Sequence, residues 1–347
     1  MSHSPESLPK HIHNVADILS DSKRCFLSHT SLETMVCLEK GEKLPFFASF
    51  PLVKSDPAFL HEFYRHHINL ALKYKCNYIL ESLGWRANRD WGAKMGMSED
   101  ELDEFNRLSI QLLHSLRSEY ENTTCTMLIS GNLGPRGDGY VAREIMPPEE
   151  AQAYHSRQCA VYREAGVDMV TAYTMTYPEE CIGIAWAARE ADLPVVISFT
   201  LDTDALLPSG WSLAEAIQTI DSATGSYPLY YMINCTHPIH FMPLFRYAHE
   251  HKLECSAWMQ RIRGLQCNAS KKSHAELDET WRSSAGATSR SAVCGRTSPC
   301  CLAAAAPTSS TWKLYADTAL VQRVPAHRLG HRRRNQIQLF FTCHMSP

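Results

Sequence analysis

The segment DMVTAYTMTYPEECIGIAWAAREADLPVVISFT (residues 168–200) contains two apolar runs, 168–174 and 194–200, separated by a stretch of helical pattern over 178–191. Both runs are apolar at consecutive positions rather than at every second one, which is typical of parallel strands that are buried on both faces. A strand, a helix and a second strand in this order form a β/α/β unit. The segment therefore predicts an α/β protein built on a parallel sheet.

The same alternation extends over residues 44–270, with one further strand near the start of the chain. The other expected strands lie at 25–28, 76–82, 124–132, 230–235 and 261–268, and the other expected helices at 56–74, 98–120, 148–165, 212–223 and 240–251. Seven strands with intervening helices predict a (β/α)₈ TIM-type barrel that is incomplete at its eighth unit, with a doubly wound open sheet as the alternative. No GxGxxG or GxxxxGK[ST] motif follows a strand, which disfavours a nucleotide-binding open sheet.

The composition argues against a secreted or membrane protein. The 347-residue chain has no apolar run of the ~20 residues that a membrane span requires, and its first 25 residues are polar. Its thirteen cysteines show almost no regular short spacing, which disfavours an extracellular disulfide scaffold. We therefore expect a cytoplasmic protein without membrane contact.

The charge distribution divides the chain. Residues 281–347 contain eight Arg, one Lys, one Asp and no Glu, a net charge of +8, so residues 1–280 carry −11. We expect a polar N-terminal segment over 1–24, a barrel domain over 25–280 and a disordered tail over 281–347. The run HRRRN (331–335) is also compatible with a basic arm that binds nucleic acid phosphates, although the solvated tail is the simpler interpretation and nucleic acid is not an expected partner.

Polar side chains follow most of the predicted strands. In a barrel of this type, catalytic groups lie at the carboxyl ends of the strands and in the loops after them. The candidate site residues at these positions are Glu81, Trp85, Asn132, Thr174 and Asn234. Asn and Thr at strand ends also order loops without any catalytic role, and Glu81 could simply pair with an arginine.

Cys235 ends an apolar strand and precedes a polar loop that contains a proline. It begins a C-x-H-x-x-H spacing with His237 and His240, which suggests a metal, but no second ligand pair at a finger-like spacing follows. Most single cysteines are inert, small apolar residues. The local pattern alone leaves both interpretations open.

Several sequence blocks occur in the order found in one enzyme family. They are SLETMVCLEKGEKLPFFASFPLV (31–53), ESLGWRANRDWG (81–92), SGNLGPRGDGY (130–140), INCTHPIHF (233–241) and RIRGLQCNASKKSHAELDE (261–279). Over about residues 26–280 the chain resembles the homocysteine S-methyltransferase family, the zinc-dependent thiol methylases that include the betaine- and S-methylmethionine-homocysteine methyltransferases.

The resemblance implies a site and a reaction. Family members are barrels that hold Zn²⁺ with three cysteines, and by similarity Cys235 is the first of these ligands, the other two being an adjacent pair after strand eight. The fourth zinc position binds a thiol as its thiolate, which attacks the methyl group of a sulfonium or ammonium donor. The implied partners are a small-molecule thiol and a methyl donor, and the implied role is in methionine biosynthesis.

The substrate end of the site departs from the family pattern. The family usually has Asp-Gly-Gly before Leu-Glu-Thr, and this chain has His29, Thr30 and Ser31 there. Better-characterised members also place a Glu for the substrate amine after strand four, where this chain has Tyr173. These two differences disfavour homocysteine itself as the acceptor.

The expected Cys-Cys pair is also missing, and PCCLAAAAPTSSTWKLY (299–315) stands near its place. The codons GGC-TGC-TGC-GGC-ACC-GAC encode Gly-Cys-Cys-Gly-Thr-Asp. The same nucleotides can be read in a shifted frame, in which the first G is the last base of the codon for Leu302. The triplets that follow then encode Ala-Ala-Ala-Ala-Pro-Thr, which is the sequence of residues 303–308. We therefore interpret the chain from a point between Thr280 and Pro299 onward as frame-shifted or mis-spliced.

This interpretation has two consequences. Strands one and seven are expected to remain open edges, because strand eight would be lost. Zinc is not expected to be retained, since one thiolate is too few and Cys300 and Cys301 are not expected to replace the pair. Two functions therefore remain open, an S-methyltransferase or a catalytically inactive family member, and the second is favoured for this chain.

Overall fold

The computed structural model describes residues 15–20, 24–29, 32–37, 44–250, 257–268 and 342–345. Seven strands form one parallel sheet in which neighbours in sequence are hydrogen-bonded neighbours in space. They are β1 (Cys25–Ser28), β2 (Asn77–Glu81), β3 (Met127–Leu133), β4 (Met169–Met175), β5 (Val195–Phe199), β6 (Tyr231–Asn234) and β7 (Ile262–Gln266). All seven strands predicted from the apolar runs are present.

One helix precedes β1, and the other helices lie in the connections between the strands, on the outside of the sheet. They are α1 (Val15–Ser20), α2 (Leu32–Met35), α3 (Leu52–Ser55), α4 (Pro57–Tyr74), α5 (Arg89–Lys94), α6 (Glu99–Tyr120), α7 (Pro148–Ala165), α8 (Pro178–Glu190), α9 (Leu213–Thr224), α10 (Pro238–Glu250) and α11 (Ala257–Gln260), with 3₁₀ turns at Pro45–Phe47 and Gly84–Arg86. No helix in the described part of the chain has both the length and the apolar character required to cross a membrane.

The helix ends follow from local sequence. Ser98 accepts a hydrogen bond from the backbone N–H of Glu101, and the Glu101 carboxylate accepts one from the backbone N–H of Ser98, which forms a capping box at the start of α6. Ser212 and Glu215 do the same at the start of α9. Gly166 ends α7 in the left-handed conformation, which a residue without a side chain adopts at low cost.

A short eighth strand closes the barrel. β8 (Thr342–Met345) lies between β1 and β7 and runs antiparallel to both. The expectation of open edges at strands one and seven is therefore wrong, because the backbone groups of both strands pair with β8. The closed order also excludes the doubly wound open sheet. The prediction of an incomplete (β/α)₈ barrel is confirmed, because the described residues contain seven parallel strands and no eighth strand that runs parallel to them.

The remaining predictions for the tail are not tested. The segments 303–308 and 331–335, as well as Cys300 and Cys301, lie outside the described residues. The expected disorder of 281–347 is not met over β8, where the chain is a strand, and elsewhere stays a prediction.

The core has two parts. The larger cluster fills the space between the sheet and the surrounding helices. The smaller one lies inside the barrel and includes Phe26, Ile79, Leu128, Met169 and Val196, one from each of the first five strands. Val15 and Leu19 of α1 belong to this interior cluster, so α1 covers the barrel near the amino-terminal ends of the strands. The opposite end of the barrel, at the carboxyl ends of the strands, is here called the mouth. Polar side chains lie at this end.

Candidate functional site

Glu81 is a buried carboxyl group at the carboxyl end of β2. Its side chain is 2% exposed, its Oε1 accepts a hydrogen bond of 2.5 Å from the Tyr173 hydroxyl, and its Oε2 lies 3.9 Å from Nε2 of His29. Burial raises the pKa of Glu81, and the charge of His29 and the hydrogen bond from Tyr173 oppose that increase. Two of the four residues that depart from the family pattern, His29 and Tyr173, therefore lie next to one acidic group.

Replacement of Glu81 by Gln tests this buried acid. Because the pKa is raised in the folded state, the stabilising contribution of protonated Glu81 is present at low pH and is lost as pH rises through the folded pKa. Gln is neutral at every pH and its amide oxygen can still accept from Tyr173. We expect Glu81→Gln to raise the melting temperature at neutral pH and to leave it nearly unchanged in acid.

The exposed Glu144 provides the matched control. Melting curves of Glu81→Gln and Glu144→Gln, recorded by circular dichroism across the acidic to neutral range, are compared with those of the unmodified chain. A pH-independent difference for Glu81→Gln, equal to that for Glu144→Gln, would contradict the assignment of a buried acid with a raised pKa.

Asn234 connects the ends of three strands. Its Oδ1 accepts from the backbone N–H of Thr174 at 3.0 Å and from the Ser198 hydroxyl at 2.7 Å, and its Nδ2 donates to Oγ1 of Thr174 at 3.0 Å. Nδ2 also lies 3.2 Å from the sulfur of Cys235. The Asn234 amide is thus fully hydrogen-bonded within the protein, and it orders β4, β5 and the thiol at the end of β6.

Thr174 and Cys235 both have left-handed backbone conformations. Their φ angles are 63° and 54°. Residues other than glycine rarely adopt this region, and for a β-branched threonine it is a strained conformation that the surrounding structure must impose. The two hydrogen bonds between Thr174 and Asn234 supply that constraint. Strained residues of this kind occur preferentially at functional sites.

Cys235 is a partly exposed thiol at the mouth. Burial raises its pKa, and hydrogen bonds to the sulfur from Tyr140 and Asn234 oppose the increase. The Tyr140 hydroxyl lies 3.7 Å from the sulfur and reaches it from the loop between β3 and α7. A small pocket adjoins the thiol, and it is lined by Tyr140, Thr200, Leu201, Asp202, Thr203, Pro208, Cys235, Thr236, His237 and His240.

Removal of the Tyr140 hydroxyl should change the titration of this thiol. A donor to sulfur stabilises the thiolate, so we expect Tyr140→Phe to raise the pKa of Cys235 further. The measurement is the rate of iodoacetamide alkylation of Cys235 against pH, followed by peptide mass mapping. The midpoint should move to higher pH in Tyr140→Phe.

Tyr227→Phe is the control, because the Tyr227 hydroxyl donates to the carbonyl of Leu193, outside this set of contacts. Its alkylation profile should match that of the unmodified chain. A midpoint that stays in place or falls in Tyr140→Phe would show that Tyr140 does not stabilise the thiolate.

Trp85 and Asn132 occupy the other side of the mouth. The indole N–H of Trp85 donates to the carbonyl of Tyr173 at 3.4 Å. The backbone N–H of Asn132 donates to the Ser82 hydroxyl at 2.8 Å, and its buried side-chain Oδ1 has no hydrogen-bond partner among the described residues. A donor from a ligand would satisfy Oδ1, which keeps Asn132 a candidate for substrate contact.

The structure brings the predicted residues together in two groups. Thr174, Asn234 and Cys235 form one hydrogen-bonded set, and Glu81 joins Tyr173, to which Trp85 is also bonded. Tyr140 and Ser198 also contact these groups and were not predicted from the sequence. Tyr140 is the last residue of the family-like segment SGNLGPRGDGY, and this position was the sequence signal that pointed to it.

The described residues do not fit the zinc site that the resemblance implies. Three cysteine ligands are required by that resemblance, and no group of three or more His, Cys, Asp or Glu side chains in the described ranges could hold a metal ion. The groups hydrogen-bonded to the Cys235 sulfur are the hydroxyl of Tyr140 and the amide of Asn234, neither of which is an expected zinc ligand. No metal-dependent step is therefore assigned to these residues.

Comparisons with known proteins support the fold and the family. The chain resembles the homocysteine methyltransferase MmuM from Escherichia coli in its metallated form, with a TM-score of 0.58 and 17% identity over 77% of this chain and 90% of that one. The oxidized form gives a TM-score of 0.58 and 18% identity over 79% and 90% of the two chains. At these identities the structural likeness shows the fold alone.

No curated protein sequence matches the chain significantly. The family model described as homocysteine S-methyltransferase matches residues 34–306, which is well over half of the chain. It covers six of the seven parallel strands, the loop that carries Tyr140, and Cys235. The chain therefore belongs to the homocysteine S-methyltransferase family.

Proposed function

We propose that the mouth of this barrel binds a small thiol and a methyl donor, and that the chain as it stands is a methyltransferase-like protein without turnover. The parent reaction is transfer of a methyl group from a sulfonium or ammonium compound to a thiol, which yields methionine when the acceptor is homocysteine. The observation that carries the proposal is Cys235, the position of the first metal ligand by family resemblance. It lies beside a pocket, and among the described residues the groups bonded to its sulfur are hydrogen-bond donors.

The residues of the mouth support binding. Glu81 is buried with a raised pKa, Oδ1 of Asn132 has no partner among the described residues, and Trp85 is hydrogen-bonded to the carbonyl of Tyr173, whose hydroxyl binds Glu81. Thr174 and Asn234 order the backbone beneath the Cys235 thiol rather than presenting free polar groups. We therefore assign ligand contact to Glu81, Trp85 and Asn132, and a positioning role to Thr174 and Asn234.

An active S-methyltransferase is the second candidate, and the family match favours it. The match extends to residue 306 and thus includes Cys300 and Cys301, which lie outside the described residues. If these cysteines approached Cys235, three thiolates would be available for zinc. The expected role in methionine biosynthesis depends on this candidate. The cytoplasmic location stays a prediction under both.

Binding and turnover separate the two candidates. Purified full-length protein is titrated with homocysteine by calorimetry, and methionine formation is measured with zinc and either S-methylmethionine or betaine as the donor. Although the residues at 29–31 and 173 depart from the family pattern, the family match favours homocysteine as the thiol, so we expect homocysteine to bind and no methionine to form. Methionine formation that is lost in Cys235→Ala and kept in Cys76→Ala, a change at the opposite end of the barrel, would establish the active enzyme. Absence of homocysteine binding would refute the proposed site.

A further inference from the structure

Arg86 is a buried cation stacked between two aromatic rings. It is 6% exposed and lies in the 3₁₀ turn that follows β2. Its guanidinium carbon is 3.9 Å from the ring centroid of Trp85 and 3.9 Å from that of Trp91. Both faces of the planar guanidinium group are therefore covered, and only its edges can accept a further partner.

One edge of this guanidinium group has no acceptor among the described residues. Nη1 donates to the carbonyl of Gly137 at 3.1 Å, whereas Nε is buried without a partner and Nη2 donates to none of the described residues. The buried indole N–H of Trp91 is likewise unpartnered in the part of the chain that the structure describes. Two unpartnered buried donors on stacked groups point to a missing acceptor, because buried polar groups are normally hydrogen-bonded.

Arg86 also has no ionic partner in the part of the chain that the structure describes. No carboxylate of the described residues lies within ion-pair distance, and Asp138 and Glu33 act on it only from farther away. The partly buried Arg117 and Arg261, in contrast, are paired with Asp168 and Asp221. Burial lowers the pKa of Arg86 to about 10, which still leaves it charged at neutral pH. A buried charge without a partner is costly, so a ligand anion would be strongly favoured here.

Arg86 contacts the loop that reaches the mouth. Its Nη1 donates to the carbonyl of Gly137, and three residues farther along this loop the Tyr140 hydroxyl is hydrogen-bonded to the Cys235 sulfur. Trp85, on which Arg86 stacks, is bonded to the carbonyl of Tyr173, whose hydroxyl binds Glu81. These bonds connect Arg86, through Trp85 and Tyr173, to the residues that surround Glu81.

We propose that Arg86 is a specificity-determining residue that binds the carboxylate of an amino-acid-type ligand through its Nε–Nη2 edge. The two parallel donors of that edge match the two oxygens of a carboxylate in a bidentate arrangement. Neutralisation by this carboxylate removes the cost of the buried cation. The inference rests on the proposed function, since it names the chemical class of ligand that the mouth selects.

The test compares matched ligands with and without the carboxylate. Calorimetry measures the binding of homocysteine and methionine, each against its decarboxylated amine, to the full-length protein. We expect each carboxylate-bearing ligand to bind about 10–100-fold more tightly than its amine, the range of a charge-assisted bidentate contact. The ratio of the two affinities should fall to near one in Arg86→Gln. It should fall to an intermediate value in Arg86→Lys, because lysine keeps the positive charge but lacks the two parallel N–H donors.

Arg89→Gln is the control, because Arg89 is an exposed arginine three residues away. It should bind like the unmodified protein. A carboxylate preference that persists in Arg86→Gln, no binding of any of the four ligands, or displacement of methionine by inorganic phosphate at equal concentration would each overturn the inference. A preference that depends on Arg86 for methionine, together with no binding of homocysteine, would support the inference and refute the proposed thiol site.

Discussion

Gly84→Ala is expected to destabilise the protein by about 1–3 kcal/mol and to weaken ligand binding at the mouth. A Cβ atom at this position would overlap the Tyr162 hydroxyl and lie 2.6 Å from the carbonyl oxygen of Asn132. Tyr162 cannot move freely, because its hydroxyl is bonded to Asn106 at 2.9 Å and to that same carbonyl at 2.8 Å. The added methyl group must therefore displace the backbone that carries Trp85 and Asn132.

Gly137→Ala is the control for this change. A Cβ atom there meets no atom within 4 Å, although the residue lies in the same loop region as Tyr140. Chemical denaturation followed by tryptophan fluorescence gives the free energy of unfolding for both variants. If Gly84→Ala lost no more free energy of unfolding than Gly137→Ala, the close packing of Gly84 against Tyr162 and the carbonyl of Asn132 would not be present.

Asp168→Ala is expected to reduce the free energy of unfolding by about 3–5 kcal/mol, the range for removal of one partner of a buried ion pair. Oδ2 of Asp168 accepts from Nη1 of Arg117 at 2.6 Å and from the backbone N–H of Ile129 at 2.6 Å. The Asp168 side chain is fully buried, and that of Arg117 is 16% exposed. The substitution leaves a largely buried cation and a buried N–H group without their acceptor.

A surface ion pair supplies the comparison for Asp168. Glu164 is 67% exposed and pairs with Arg107, so Glu164→Ala should cost about 0–1 kcal/mol. The same denaturation experiment measures both variants. If the two losses were equal, Asp168 would not hold the junction of β3 and β4 in the way the contacts indicate.

The parallel part of the barrel could be predicted from the sequence because its signals are local. Helix α7 was expected over 148–165 and is found there, since Pro148 and two glutamates mark its start and Gly166 its end. The buried strands were detectable as uninterrupted apolar runs. In contrast, β8 was missed, because it pairs antiparallel with strands far away in sequence and no turn or periodic pattern marks it.

The contacts of the site could be predicted less well than its position. The strand-end rule identified Glu81, Thr174, Asn234 and Cys235, but the bond between Tyr173 and Glu81 depends on the relative placement of β2 and β4. The contact between Tyr140 and Cys235 joins residues 95 positions apart. Left-handed conformations at a threonine and a cysteine also have no sequence signal, because such conformations are normally expected at glycine.

We propose that Cys235 occupies the position of a metal ligand in the family, and that this chain does not hold zinc there. The most direct measurement is the zinc content of the full-length protein after equilibration with zinc and gel filtration, with Cys235→Ala and Cys76→Ala measured alongside. We predict far less than one zinc per chain, and no difference among the three proteins. One zinc per chain that is lost in Cys235→Ala and kept in Cys76→Ala would contradict the claim.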